Sequence, residues 1–257
     1  MNNSPFIFVI NLEKSEDRRI AIQQQLDSKI TPYTFFPAIY GKENPEHYLF
    51  KKYNEQKRLL RKGHTMSLSQ LGCFASHYLL WEKCIELNQG IVILEDDAIF
   101  HENFVEVCYF LRSDRNKFDF LWLSPPAPVK RGQKGDLVLE ISDTKNKVER
   151  FYEGWRNTTG YYINPIAAKK LINYMQEWVY DVDISMDRYW ENGLDHLAVI
   201  PACLEPNFSL ESNIPVNKGR SKRTLVTKLK REYFRLKDNI NKFSYDFSKK
   251  IIKRKEF

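Results

Sequence analysis

Residues 91–97 read Ile-Val-Ile-Leu-Glu-Asp-Asp, an apolar run that ends in three consecutive carboxylates. Four apolar residues in a row leave no side for water. A strand of this kind must be covered on both faces, as in a largely parallel sheet with helices packed on each side. The flanking pattern agrees. Residues 6–10, 33–36, 118–123, 160–163 and 197–200 read as further short strands. Helical spacing separates them. One stretch follows a Ser15 cap with Ile20, Ile22, Leu26 and Ile30, and another spans 69–87 with Leu71, Phe74, Tyr78, Trp81 and Ile85. Residues 103–111, 165–174 (proline in the first turn) and 183–191 complete the set. Strands alternating with helices predict an α/β fold around a mostly parallel sheet. Residues 41–65 read as a polar loop with a short helix at most, and 130–150 as a polar insertion or hairpin.

Three carboxylates at a strand tip repel one another unless a cation sits among them. A hard divalent ion, held by one or two of them with water and substrate phosphates in its other positions, satisfies that need. The alternative is an acidic turn whose last carboxylate caps the next helix. In open α/β sheets, ligands bind at the carboxyl ends of strands. Asn11 closes the first strand, and Asp17-Arg18-Arg19 follows shortly after. An arginine pair beside a carboxylate cluster can hold a nucleotide diphosphate bridged to a metal.

The chain has 257 residues, 42% of them hydrophobic, enough for one large domain with an appendage. No run approaches the ~18 apolar residues of a membrane span. The start, Met-Asn-Asn-Ser-Pro, lacks the basic n-region of a signal peptide, so a cytoplasmic location is expected. Cys73, Cys84, Cys108 and Cys203 show no CxxC spacing and read as reduced, buried small hydrophobes. Phosphate-loop, dinucleotide-glycine and HExxH motifs are all absent from the sequence.

Charge divides the chain. Residues 217–257 hold 15 Lys or Arg against 4 Asp or Glu, a net +11, whereas residues 1–216 hold 25 against 29, a net −4. The boundary between a folded domain and a basic tail is accordingly set at 216/217. In the tail, Leu225, Leu229, Tyr233, Leu236, Ile240 and Phe243 recur at helical spacing among Lys222, Arg223, Lys228, Lys230, Arg231, Arg235 and Lys237. That is a basic amphipathic helix. It fits docking on its own domain, an anionic membrane surface, or nucleic acid. The last would define an alternative function, a nucleic-acid-binding protein acting through its tail. No helix-turn-helix or RNA-recognition signature supports it.

Five segments in order carry a family resemblance. They are Val9-Ile-Asn-Leu12 with Arg18-Arg19, Gly72-Cys-Phe-Ala-Ser-His77 with Trp81, and Leu94-Glu-Asp-Asp97. Thr158-Thr-Gly-Tyr161 with Ala168, then Val182-Asp183 followed by Pro201, complete them. Over residues 5–213 the chain resembles glycosyltransferase family 25, the lipopolysaccharide and lipooligosaccharide transferases whose members add β-linked galactose. The resemblance implies a GT-A-like fold and inverting transfer of a hexose, galactose foremost, from a UDP-sugar. It also implies a lipid-linked oligosaccharide acceptor at the inner face of a bacterial cytoplasmic membrane, and no nucleic acid.

By the same resemblance, Glu95-Asp96-Asp97 stands as a DxD-type motif, with Asp97 and then Glu95 as ligands of Mn²⁺ or Mg²⁺ and Asp96 beside the donor. Asn11, Leu12, Arg18 and Arg19 fall near uracil, ribose or phosphate. Ser76 or His77, with Thr158 and Gly160, would face the site, while Trp81 reads as core. Ser212, next to Asn213, contacts the diphosphate or forms a turn. Asp183 is implied as the base that takes the acceptor proton, with Asp187 and then Glu95 behind it. There are two departures. Asn157 stands where the family has glycine, and the only late histidine for a metal is His196, with water as the other third ligand.

Overall fold

The architecture is organised about β3 (Ile91–Glu95), whose alternate side chains enter two different cores. Ile91 and Ile93 face one layer and Val92 and Leu94 the other, all four fully buried. The computed structural model describes residues 6–29, 32–142, 144–209 and 225–255. Before β3 lie β1 (Ile7–Asn11), α1 (Glu16–Asp27), β2 (Tyr33–Pro37), a 3₁₀ turn (Tyr48–Lys52), α2 (Glu55–Lys62) and α3 (Leu68–Leu87). After it come β4 (Ala98–Phe100), α4 (Phe104–Arg112), β5 (Phe120–Trp122), β6 (Asp136–Glu140), β7 (Lys147–Arg150) and β8 (Gly160–Ile163). The chain continues through α5 (Pro165–Tyr174), α6 (Val182–Met186), α7 (Tyr189–Asn192), β9 (Leu197–Ile200), β10 (Leu204–Pro206) and α8 (Leu225–Lys255).

The main sheet has eight strands in the order β2-β1-β3-β8-β5-β9-β7-β6. All run one way except β8 and β7, which are antiparallel to their neighbours. This is the α/β architecture with a mostly parallel sheet that the sequence pattern predicts. One core contains α3 and α5 side chains, and the other those of α1 and α4. β4 and β10 form a separate two-stranded sheet. Its three-residue strands are too short to leave a periodic signal.

Helix α3 is bounded by local chemistry. Ser67 and Gln70 close a capping box at its start, and Asn88 ends it in the left-handed region at φ 49°. Its second turn presses on the 38–41 segment at Gly72, where a Cβ would run into the Ile39 carbonyl oxygen. Residues 41–65 are more ordered than the sequence pattern predicts. Asn54 caps α2 by accepting from Lys57 N, and Gly63 ends it at φ 78°. Arg58, on this polar helix, is fully buried.

The helix expected over 183–191 is two helices. The chain breaks at Asp187 and Arg188 because both side chains are drawn elsewhere, Asp187 to the Trp155 and Arg156 amides and Arg188 to Asp238. On α1 only Ile22 and Leu26 are buried, and Ile20 is exposed. Ile30 lies outside the described residues. The 130–150 segment is a hairpin, β6 with β7.

Helix α8 rests on α2 and α7 through polar contacts. Arg188 donates twice to the Asp238 carboxylate at 2.7 and 2.8 Å, and Tyr189 Oη donates to Asp246 at 2.9 Å. The Arg61 guanidinium lies 4.5 Å from the centre of the Phe234 ring. No helix among the described residues is long and apolar enough to cross a membrane.

Gly72 offers a direct test of this packing. Gly72→Ala is expected to lower unfolding free energy by about 1–3 kcal/mol through overpacking, read as a lower urea midpoint with unchanged slope.

Candidate active site

The carboxyl ends of β1 and β3 lie side by side, Ile10 paired with Glu95, and the start of β8 meets them at the Leu94–Gly160 pair. The chain turns from β3 into β4, so Asp97 does not cap a helix. Each of the three carboxylates has a different environment. Asp96 accepts from Asn11 Nδ2 at 2.8 Å and from Arg18 Nη1 at 3.0 Å. Burial still holds its carboxyl above the usual range, opposed by those two donors. Glu95 accepts from Thr158 Oγ1 at 2.6 Å and faces His77 Nε2 at 3.3 Å. Burial works against its charge, but these hydrogen bonds and the Arg18 charge keep its carboxyl low. Asp97 has weaker help, from the Arg18 charge and a backbone hydrogen bond. Burial, then the charges of Glu95 and Asp96, push it up to about 7, and its Oδ1 is buried without a hydrogen-bond partner.

Behind Glu95 runs a chain of buried hydrogen bonds. Trp81 Nε1 donates to Tyr161 Oη at 2.9 Å, and Tyr161 Oη lies 2.8 Å from His77 Nδ1. With its oxygen accepting from tryptophan, the phenol proton is assigned to His77 Nδ1. That leaves the Nε2 proton pointing at Glu95. Trp81, Tyr161 and His77 are all buried, and each spends its polar atoms in this relay.

Asp183 sits in the first turn of α6, two residues after the cap position Asp181. Burial, then the Asp181 charge, raise its carboxyl to about 6. Asp181 itself is gripped by Arg58 at 3.0 and 3.3 Å and by Gln70 Nε2 at 2.7 Å, which ties α2, α3 and α6 together. Asp187 accepts the Trp155 and Arg156 amides at 2.7 and 2.9 Å. Burial pushes it up to about 8 against those two donors. Both of its oxygens are committed to holding the 155–156 loop.

Two clefts meet at the carboxylates. One lies over β1 and β3 and is lined by Ile10, Leu12, Arg18, Ile39, Tyr40 and Ser69. The other, about 610 Å³, lies over the entry to β8 and is lined by Arg156, Asn157, Thr158, Asp181, Asp183 and Phe208. Cys73, Glu95 and Asp97 line both. Arg156, with φ 53° in the region that side chains rarely adopt, also borders a third, strongly basic cleft beneath α8.

The structure therefore gathers Asn11, Leu12, Arg18, Glu95, Asp96, Asp97, His77, Thr158 and Asp183. Arg19 is elsewhere, exposed and 4.0 Å from the centre of the Phe35 ring. Ser76 reaches the first cleft, but its hydroxyl is spent on Gly72 O and Ile39 N. Gly160 is a packing glycine against Leu204 and Leu94. His196 is neutral and structural. Its Nε2 donates to Glu153 O, its Nδ1 accepts from Trp122, and burial drops its pKa to about 4. Ser212 and Asn213 lie outside the described residues.

Asp181 and Arg156 were not singled out by the sequence pattern, and Cys73 and Tyr161 were named only within longer segments, with no role at the site. Arg18 and Cys73 had a readable signal, since Arg18 lies four residues before buried Ile22, and Cys73 shares a helical face with Ser69 and His77.

A divalent ion fits these groups. Asp97 Oδ1 is an orphaned buried carboxylate oxygen in a cluster of acids, the condition that a hard cation relieves. Cys73, His77 and Glu95 also bring donor atoms within 4.8 Å of one another. There the thiol is held protonated by burial and surrounding carboxylates, and both histidine nitrogens are engaged. The oxygen pair Asp97 and Glu95 suits Mg²⁺ or Mn²⁺ better than this sulfur-containing set.

The sequence profile of glycosyltransferase family 25 (LPS biosynthesis protein) matches residues 4–186. The chain belongs to glycosyltransferase family 25. A glycosyltransferase 25 family member of Anopheles gambiae is 31% identical across 65% of this chain and 28% of that protein. Procollagen galactosyltransferase 1-A of Xenopus laevis is 29% identical across 65% and 28%. The chain thus spans little more than a quarter of these long relatives. The lipooligosaccharide biosynthesis protein lex-1 of Haemophilus influenzae is 28% identical across 90% of this chain and 89% of that protein.

Between the ordinary aspartate value and about 7, this family-25 chain holds a proton on Asp97 that its unfolded form releases. Stability therefore falls as pH rises through that window, and the loss is complete above it. Asp97→Asn removes the loss. In metal-free urea titrations the variant should exceed wild type by about 4 kcal/mol at pH ~8 and match it near pH ~4. A gap that persists unchanged at the lower pH contradicts this account.

Proposed function

We propose that this chain transfers a hexose, galactose foremost, from a UDP-sugar in the cleft over β1 and β3 to a hydroxyl of a saccharide in the cleft over β8. The observation that carries this reading is the shared wall. Two clefts of different character open on the same carboxylates, Glu95 and Asp97, and thus bring two ligands to one point. Family membership supports glycosyl transfer as the chemistry, and the Xenopus relative's name supports galactose.

Asp97 and Glu95 would hold Mn²⁺ or Mg²⁺, which supplies Lewis-acid neutralisation of the departing diphosphate. The protein's own groups do the positioning. Asn11 and Arg18 fix Asp96, so that side chain orients the donor edge and leaves Asp97 open. Thr158 and the His77 relay hold Glu95 ionised and in place. Asp183 is the base. It sits in the second cleft, and burial beside Asp181 lifts its carboxyl to about 6, near the value at which proton abstraction is efficient at neutral pH. Attack from that side, opposite the leaving diphosphate, inverts the anomeric carbon.

The acceptor reading, a lipid-linked oligosaccharide at the inner face of a bacterial cytoplasmic membrane, rests on the lipooligosaccharide relative that matches over nearly its whole length.

Thermal shift against UDP-Gal, UDP-Glc, UDP-GlcNAc and UDP-GalNAc, with and without Mn²⁺, tests the donor side. A rise in Tm is expected for one or more donors with the metal, and none with any donor would overturn the reading. Asp183→Asn should keep that shift while transfer falls ~10²–10⁴-fold. Because the base must be unprotonated, the wild-type rate should decline as pH drops through about 6.

A further inference from the structure

Helix α8 is docked the wrong way round for an ordinary amphipathic helix. Such helices turn an apolar stripe to the protein and a polar one to water. Here the half-buried positions are Arg231, Phe234, Asp238, Lys242 and Tyr245, one face in register along the helix, with Asp246 at its edge. That face is held largely by charge, with Asp238 gripped by Arg188 and Asp246 bound by Tyr189 and Lys242. The opposite face carries Leu229, Tyr233, Leu236, Ile240, Phe243 and Phe247, each 56–71% exposed, and Leu225 extends it. At 100° per residue these side chains fall within about 80° of arc. The body has its own closed cores and leaves this stripe uncovered.

We propose that this stripe is a membrane-surface face, and that α8 lies in the headgroup region of an anionic bilayer while its acidic contacts hold the catalytic body behind it. Charge selects the occupant. Residues 225–255 include 11 Lys or Arg and only 3 Asp or Glu. Two of the three acids, Asp238 and Asp246, are turned inward to the body, and the third, Glu232, is paired with Arg235. Exposed Lys230 and Lys237 flank the stripe on one side, with Lys228 and Arg235 on the other. Apolar residues between basic flanks match the boundary between acyl chains and anionic headgroups. A second copy of α8 would bring two such basic rims together, and nucleic acid offers nothing to cover seven large apolar side chains.

The clamp adds an orientation. Because Arg188 follows directly on Asp187, the α8 clamp, the basic cleft beneath α8 and the Arg156 border of the catalytic cleft are joined by one run of contacts. A bilayer-held helix keeps that catalytic cleft at a set height and tilt above the surface.

Vesicle flotation of the purified chain tests the proposal without donor or acceptor, so its failure would not touch the transferase reading. Wild type should float with phosphatidylcholine vesicles containing ~30% phosphatidylglycerol and stay at the bottom with pure phosphatidylcholine. The triple variant Leu236→Glu, Ile240→Glu, Phe243→Glu changes only exposed positions and should lose at least tenfold of the floated fraction, with Tm unchanged. Lys228→Gln, Lys230→Gln and Lys237→Gln together should weaken flotation severalfold and flatten its dependence on NaCl. Failure of wild type to float, or flotation that ignores the glutamates, overturns the proposal. So does light scattering that shows a dimer dissolved by the glutamates in a chain that binds no vesicles.

Discussion

A carboxylate drawn out of water is costly unless hydrogen bonds replace its hydration, and the half-buried Glu95 is the carboxylate on which this site is built. It ends a strand buried on both faces, where nothing in β3 itself can satisfy it. Its partners come from two other elements, His77 on α3 and Thr158 at the approach to β8. His77 is in turn fixed by Tyr161 and, through it, by Trp81. The order of the site is therefore the order of the core. A shift of α3 against β8 disturbs the relay and the acid together.

The neighbouring acids divide the work because their surroundings differ. Asp96 is paired with Arg18, whereas Asp97 is only weakly helped by the Arg18 charge and keeps one buried oxygen without a hydrogen bond among the described residues. Chemically similar side chains in consecutive positions thus differ, one tied to Arg18 and the other left with an oxygen unbonded. Asp181 and Asp183 repeat the pattern, the first locked by Arg58 and Gln70, the second left facing the cleft with a raised pKa. In each pair the tied acid sets the position of the free one.

Much of this was legible in the chain. The apolar runs located β1, β3 and β8, and the acid cluster marked the strand end where the clefts meet. Strand direction was not legible. Gly160–Ile163 carries the same apolar signature whether it runs with β3 or against it, and only the pairing reveals that it is antiparallel. Arg18 and Arg19 are adjacent in sequence but about 100° apart on α1, so one reaches Asp96 and the other lies over Phe35. Asp187 has the residue type and spacing of a catalytic acid. Its commitment to two amides 31 and 32 residues away is a long-range fact that no local pattern encodes. Arg58 was hidden for the same reason, being a buried cation on a helix whose composition reads as solvated.

The reversed direction of β8 has a consequence for how such a site can vary. Parallel strands β1 and β3 deliver their final residues to the catalytic edge, whereas β8 delivers its first. One ligand is thus met by chain leaving the sheet and the other by chain entering it. The two half-sites belong to segments more than sixty residues apart (Glu95 and Thr158 are 63 apart) that join only at the shared carboxylates. The 155–159 loop meets the end of β3 at Glu95, through the Thr158 hydroxyl and the Thr159 carbonyl, and its Trp155 and Arg156 amides fix Asp187, so a change in this loop is felt at the shared carboxylate. The two clefts are therefore coupled through Glu95, and a substitution on the β8 side carries across to the β1–β3 side.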